Sequence, residues 1–171
     1  ARCDQFLRVY LHHIASEFYT CPLAMTDGAA TALKASANDA LIAHAVPRLT
    51  SRDVSTFWLS GQWMTELAGG SDVGNTETEA WQDGNGHWRL TGRKWFTSAV
   101  VGDMALTLAR PRGARPGGHA LAMFYLETHA ADGSWNGIRI DQLKDKLGTR
   151  ELATAEIHLD GANAMPVGAL D

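Results

Sequence analysis

The apolar residues of this chain change period once, near Ser55, and that change limits the folds open to it. Before it, Phe6, Leu7, Tyr10, Leu11, Ile14 and Phe18 recur at the spacing of one helical face. Cys21-Pro22 ends that helix. Because proline is tolerated in a first turn, a second helix starts there and carries Leu23, Met25, Ala29, Ala32 and Leu33 to about Ser36. Asn38-Asp39 is a suitable N-cap for a third, shorter helix through Leu41, Ile42 and Ala45, which Pro47 limits. After Ser55 the runs are short and β-prone: Phe57-Trp58-Leu59 with Trp63-Met64, Thr76 to Trp81, His87 to Leu90, Asp103 to Arg110, Ala120 to Leu126, Ile138 to Ile140 and Ala155 to Leu159. Asp83-Gly84-Asn85-Gly86 is a strong hairpin turn. Many short strands with glycine-rich turns predict an antiparallel barrel or sandwich. The expected class is α+β: an N-terminal helical segment over residues 1–54, then a β-domain over 55–171.

Composition sets the functional bounds. A formal net charge of −4 with a pI near 5.9 argues against a general nucleic-acid surface. Cys3 and Cys21 have no metal-like spacing and read as reduced thiols in a cytoplasmic setting. His12, His13 and His44 lie on helices in directions that do not converge, so no metal site is expected. No apolar run approaches the length of a membrane span, and no signal or transit peptide is visible.

Two stretches carry the candidate chemistry. The first runs Trp63-Met64-Thr65-Glu66-Leu67-Ala68-Gly69-Gly70-Ser71-Asp72-Val73, a strand entering a turn. Its adjacent glycines let backbone approach a planar or anionic ligand, and the Thr65 and Ser71 hydroxyls both donate and accept. The second is Gly92-Arg93-Lys94-Trp95-Phe96-Thr97-Ser98, with ring faces followed by hydroxyls. On neighbouring strands, the two patches suit a flat heteroaromatic ligand with polar edges. Buried core aromatics and ordinary turns are the plain alternative. Arg110, Arg112 and Arg115 flank a loop that reads as a solvated tip, although they could meet an anion. Lys144, Lys146 and Arg150 read as a solvated loop that holds a domain contact.

Together, in order and at these spacings, the two stretches resemble the acyl-CoA dehydrogenase family. Its usual forms are Thr-Glu followed by Gly-Ser-Asp, and Trp-Ile-Thr, here replaced by Phe96-Thr97-Ser98. Lys94-Trp95-Phe96 and the run Leu143 to Arg150 are most similar to the branch that includes the bacterial alkylation-protection flavoprotein. The resemblance implies a middle β-domain preceded by part of an N-terminal helical domain, with a C-terminal helical domain absent from this sequence. It implies FAD as cofactor, held by Trp63, Met64, Thr65, Gly70, Ser71, Phe96, Thr97 and Ser98. Ser71 would also lie near the acyl-CoA thioester. The implied activity is α,β-dehydrogenation of an acyl-CoA. The base is expected in the absent domain, so no catalytic residue is assigned among Glu66, Glu77, Glu79 and Glu151. Further implied partners are an electron acceptor such as an electron-transfer flavoprotein and a second copy, as homodimer or homotetramer. The segment alone is expected to be inactive and to hold FAD weakly or not at all. Rival readings are a flavoprotein that binds or protects DNA under alkylation stress, a flavin oxidase or monooxygenase, and an interaction β-domain without flavin.

Overall fold

Helix α1 spans Arg2–His12, α2 Thr20–Ala35 and α3 Asp39–Leu49 in the computed structural model, which describes residues 2–16 and 18–170. The first helix is shorter than its apolar spacing predicts. It passes into a 3-10 turn at His13–Ala15, and Phe18 stacks on Tyr19 instead of extending the face. No residue of α1 is buried, so little tertiary packing prolongs it. Helix α2 starts at Thr20, which places Pro22 in the first turn, where its missing N–H costs nothing. The Asn38 side chain accepts from the Leu41 amide at 3.2 Å, the predicted cap. Helix α3 nonetheless continues through Pro47 to Leu49. One lost helical bond is outweighed there by the burial of Val46 and Leu49.

Seven strands follow: β1 Ser60–Trp63, β2 Glu79–Gln82, β3 Trp88–Ser98, β4 Met104–Pro111, β5 Ala122–Glu127, β6 Ile138–Leu143 and β7 Thr154–Pro166. Five of them close a ring in which β4 pairs β2, β2 pairs β3, β3 pairs β7, β7 pairs β5, and β5 returns to β4. Strand β1 adds to β4, and β6 adds to β7. The barrel is not wholly antiparallel, because both β1 and β2 run parallel to β4. Phe57-Trp58-Leu59 lies outside any strand. The predicted return strand and the second motif are one continuous β3. The Asp83 carboxylate accepts from the Asn85 and His87 amides at 2.9 and 3.0 Å, which fixes the turn between β2 and β3.

Strand β4 is buried on both faces. Ala105 and Ala109 point into the barrel core with Trp63, Leu90, Phe124 and Ile157. Met104 and Leu106, at the alternate positions, meet Leu33, Leu41, Ala45 and Leu49 of the helices. The helices are therefore docked on the outside of the barrel wall that carries β1 and the first motif. Near this seam His44 on α3 and Tyr125 on β5 both bond to the Glu127 carboxylate, at 2.8 and 2.9 Å. Burial, with the Glu127 charge beside it, holds the Tyr125 hydroxyl far above its ordinary pKa.

Candidate functional site

The segment Trp63–Glu66 is fastened to Lys94–Ser98 at three points. The fully buried Trp63 donates its indole N–H to the Ser98 carbonyl at 3.1 Å. The Trp95 amide donates to the Thr65 carbonyl at 2.9 Å. The Lys94 ammonium reaches the Glu66 carboxylate at 2.6 Å. A fourth bond, from Thr107 Oγ1 to the Trp63 carbonyl at 2.5 Å, anchors the first motif to β4. Gly61 makes the first link possible, because a Cβ there would lie 2.3 Å from the Trp63 indole nitrogen.

The Glu66–Lys94 pair is enclosed, with side chains 3% and 0% exposed. Glu66 also accepts from the Glu77 amide at 2.7 Å and from the Thr78 hydroxyl at 2.5 Å. Lys94 donates again to the Leu108 carbonyl at 2.7 Å. Burial alone would raise the Glu66 pKa, but the Lys94 charge and these donors outweigh it and hold the carboxyl below the usual range. Burial pulls the Lys94 ammonium down against the pull of Glu66. With every acceptor position taken, Glu66 serves structure. Spacing offered no signal for this pairing, since the partners lie 28 residues apart.

Strand β3 bulges between Lys94 and Thr97, whose partners on β7 are Ile157 and Ala155. Two residues, Trp95 and Phe96, thus stand opposite Glu156 alone. The bulge frees the Trp95 amide for Thr65 and leaves Phe96 43% exposed. The Lys144 ammonium lies 3.3 Å from the Trp95 ring centroid and 2.6 Å from Glu156. Arg93 at 3.1 Å and Gln142 at 2.6 Å complete the shell of Glu156. The hydrogen bond from Lys144 does most to hold the Glu156 carboxyl below its ordinary pKa.

The basic run after β6 is therefore not one solvated patch. Lys144 is 13% exposed and turned onto Trp95, whereas Arg150 remains outside and pairs with Asp145 at 3.1 Å. Lys146 is bound by the Leu152 carbonyl and the Thr154 hydroxyl, each at 2.8 Å. Nor is Arg110 a solvated anion binder. It donates to the carbonyls of Arg115, Gly117 and Gly74 at 2.8 to 2.9 Å, strapping two loops together. Arg112 pairs with Glu79 at 2.8 Å, and Arg115 stays exposed.

The eight predicted contact residues divide by orientation. Met64, Thr65 and Ser98 are half-buried, and Gly70, Ser71 and Phe96 are exposed. Trp63 and Thr97 are fully buried, with Thr97 Oγ1 donating to the Ala155 carbonyl at 2.7 Å, so they can offer an outside ligand backbone alone. The two glycines also differ. A Cβ on Gly69 would stand 2.8 Å from the Asp72 carbonyl, so that glycine closes the turn, while the space at Gly70 is open. The Met64 thioether packs instead on the helix side, against the cluster that holds Leu33, Leu41 and Leu106, so what remains is one aromatic ring and hydroxyls that donate or accept, a set that fits a flat heteroaromatic ring such as isoalloxazine.

Over residues 61–162 the sequence matches the family described as Acyl-CoA dehydrogenase, middle domain. Acyl-CoA dehydrogenase family member 11 of Caenorhabditis elegans is 46% identical over 175 residues, covering 98% of this chain and 28% of that protein. AidB of Escherichia coli (strain K12), named as an acyl-CoA dehydrogenase, is 40% identical over 104 residues, covering 61% of this chain and 18% of the relative. The crystal structure of Caenorhabditis elegans ACDH-11 in complex with C11-CoA superposes with a TM-score of 0.82 at 48% identity, over 88% of this chain and 27% of that one. The chain thus spans less than a third of the length of these relatives.

Proposed function

The chain belongs to the acyl-CoA dehydrogenase family, and from that premise we propose that it forms the flavin-facing part of an FAD-dependent acyl-CoA dehydrogenase. The observation that supports this reading is the triple fastening of Trp63–Glu66 to Lys94–Ser98, which holds Thr65, Phe96 and Ser98, none of them fully buried, on two adjoining segments. In this reading residues 1–54 end an N-terminal helical domain, and residues 55–171 form the middle β-domain. Bound FAD would supply the hydride acceptor for α,β-dehydrogenation of an acyl-CoA thioester.

The chain's own residues bind and orient. Backbone at Trp63, Met64 and Thr97 and the Thr65 hydroxyl meet the polar edge of the ring system. Phe96 covers a ring face and excludes water from it. The Ser98 hydroxyl faces the ring. Gly70 leaves room for close approach, and Ser71 sits toward the thioester, where a donor would stabilise developing negative charge. A base must reach the α-proton in the bound pose, and Glu66, enclosed with Lys94, does not. Acyl-CoA as substrate is supported by the C11-CoA complex of the nematode relative. An electron-transfer flavoprotein as acceptor and assembly as a homodimer or homotetramer complete the proposal.

The test is an anaerobic visible spectrum of the full-length protein before and after addition of a panel of acyl-CoAs. A flavin band that one of them bleaches is the expected result, and it names the substrate class. A yellow protein that none bleaches would move the reading to the alkylation-response branch, where salt-dependent DNA affinity is the next measurement. A protein without flavin absorbance after incubation with FAD would overturn the reading.

A further inference from the structure

The Ser98 hydroxyl has one side-chain partner among the described residues, and that partner can place its own hydrogen in two ways. Ser98 Oγ lies 3.1 Å from Thr154 Oγ1, and either oxygen can donate. The Lys146 ammonium lies 2.8 Å from the same Thr154 oxygen. An ammonium only donates, so one Thr154 lone pair is committed. The other Lys146 hydrogens go to the Leu152 carbonyl at 2.8 Å and the Thr149 hydroxyl at 3.5 Å. The single hydroxyl hydrogen of Thr154 then has two acceptors, the Leu152 carbonyl at 3.2 Å and Ser98 Oγ at 3.1 Å. Thr154 is 2% exposed, which keeps bulk water from competing for that hydrogen.

The two placements give Ser98 opposite characters. When Thr154 donates to Ser98, the Ser98 hydrogen is free to point outward. When Thr154 donates to Leu152, Ser98 can donate to the second Thr154 lone pair and present its own lone pairs outward. In the first arrangement the Ser98 hydrogen is left for an acceptor outside the protein, and in the second both hydroxyl hydrogens are bonded within it.

We propose that Thr154, held by Lys146, is a positioning residue that lets Ser98 alternate between donor and acceptor toward a ring nitrogen whose own character reverses on reduction. This rests on the flavin reading above. An isoalloxazine nitrogen that takes up hydride changes from acceptor to N–H donor, so a hydroxyl beside it must reverse or lose its bond. Here the reversal needs rotation of two hydroxyls alone. They exchange no electron and no proton with the ring.

The test compares binding of oxidised and of dithionite-reduced FAD to the full-length protein under anaerobic conditions. In Thr154→Val, Ser98 can still donate to an accepting ring but has no acceptor for its hydrogen when the ring donates. Affinity for reduced FAD is expected to fall about three- to tenfold more than affinity for oxidised FAD. Thr154→Ala, which cannot overpack the site, is expected to shift the ratio the same way, and Thr154→Ser to return it to within about twofold of the parent. In a Ser98→Ala background, Thr154→Val should change the ratio no further. Equal weakening of both forms, or a Thr154→Ser ratio like that of Thr154→Val, would overturn the inference while leaving the flavin reading intact. A parent protein that binds neither form would remove both.

Discussion

Lys94 and Glu66, 2.6 Å apart and closed off from solvent, add a buried ion pair to the hydrogen bonds that join Trp63–Glu66 to β3. Glu66→Gln keeps the shape and leaves the ammonium without its counter-charge, so it should cost about 3–5 kcal/mol in urea unfolding. Joint replacement by Leu at 66 and Met at 94 should cost less than either single change. It should not be neutral, because the Glu77 and Thr78 amides would lose their acceptor. A double variant as stable as the parent would contradict this account.

The same pair sets an acid response. The folded Glu66 pKa lies below the usual value near 4.5, so from about that pH downward the unfolded chain takes up a proton that the folded chain refuses. The contribution is fully present above the unfolded value and is lost as pH falls through the folded one. The midpoint of urea unfolding should therefore drop below pH 4.5, and it should drop less steeply in Glu66→Gln.

Gly61→Ala would place a methyl 2.3 Å from the Trp63 indole nitrogen and push the ring off the Ser98 carbonyl. Overpacking of this kind should cost about 1–3 kcal/mol, with a red shift of tryptophan emission as the readout. Unaltered emission and stability would show that the indole has room to move.

Lys144→Met removes the cation from the Trp95 ring yet leaves Glu156 with Arg93 and Gln142. A loss of about 1–2 kcal/mol is expected in thermal melts, with Lys144→Arg retaining most of it. An unchanged melting temperature would mean that the ring needs no support from the loop.

Arg110→Lys replaces a planar fork by a single ammonium that cannot span the carbonyls of Gly74, Arg115 and Gly117 together. Faster proteolytic cleavage within residues 112–117 is expected, with the global unfolding midpoint shifted by about 1–3 kcal/mol at most.

Features whose cause is local were legible in the sequence. Asn38 caps α3, and Asp83 closes its turn, through side chains that bond to amides two to four residues away. The change of period near Ser55 separated helices from barrel, and the order and spacing of the two stretches pointed to the family to which the chain belongs. What the sequence concealed depends on partners distant along the chain. Phe57-Trp58-Leu59 has the right residues for a strand, but the ladder with β4 begins only at Ser60. Lys144 and Lys146 read as solvated charge because Glu156, Trp95 and Thr154, which receive them, lie across the loop or on another strand. Pro47 suggested a stop where buried neighbours carry the helix onward.

The bulge in β3 separates two kinds of inheritance. Lys94 and Thr97 are buried on either side of it, and the two residues between them occupy a place where regular pairing needs one. A lineage that lost one residue there would return to plain alternation, keep Lys94 and Thr97 inward, and retain its barrel. It would at the same time forfeit a ring of the outer wall and the amide that reaches Thr65. In this fold the number of residues between two buried positions, more than their identity, sets whether the outer wall carries the extra ring and the freed amide.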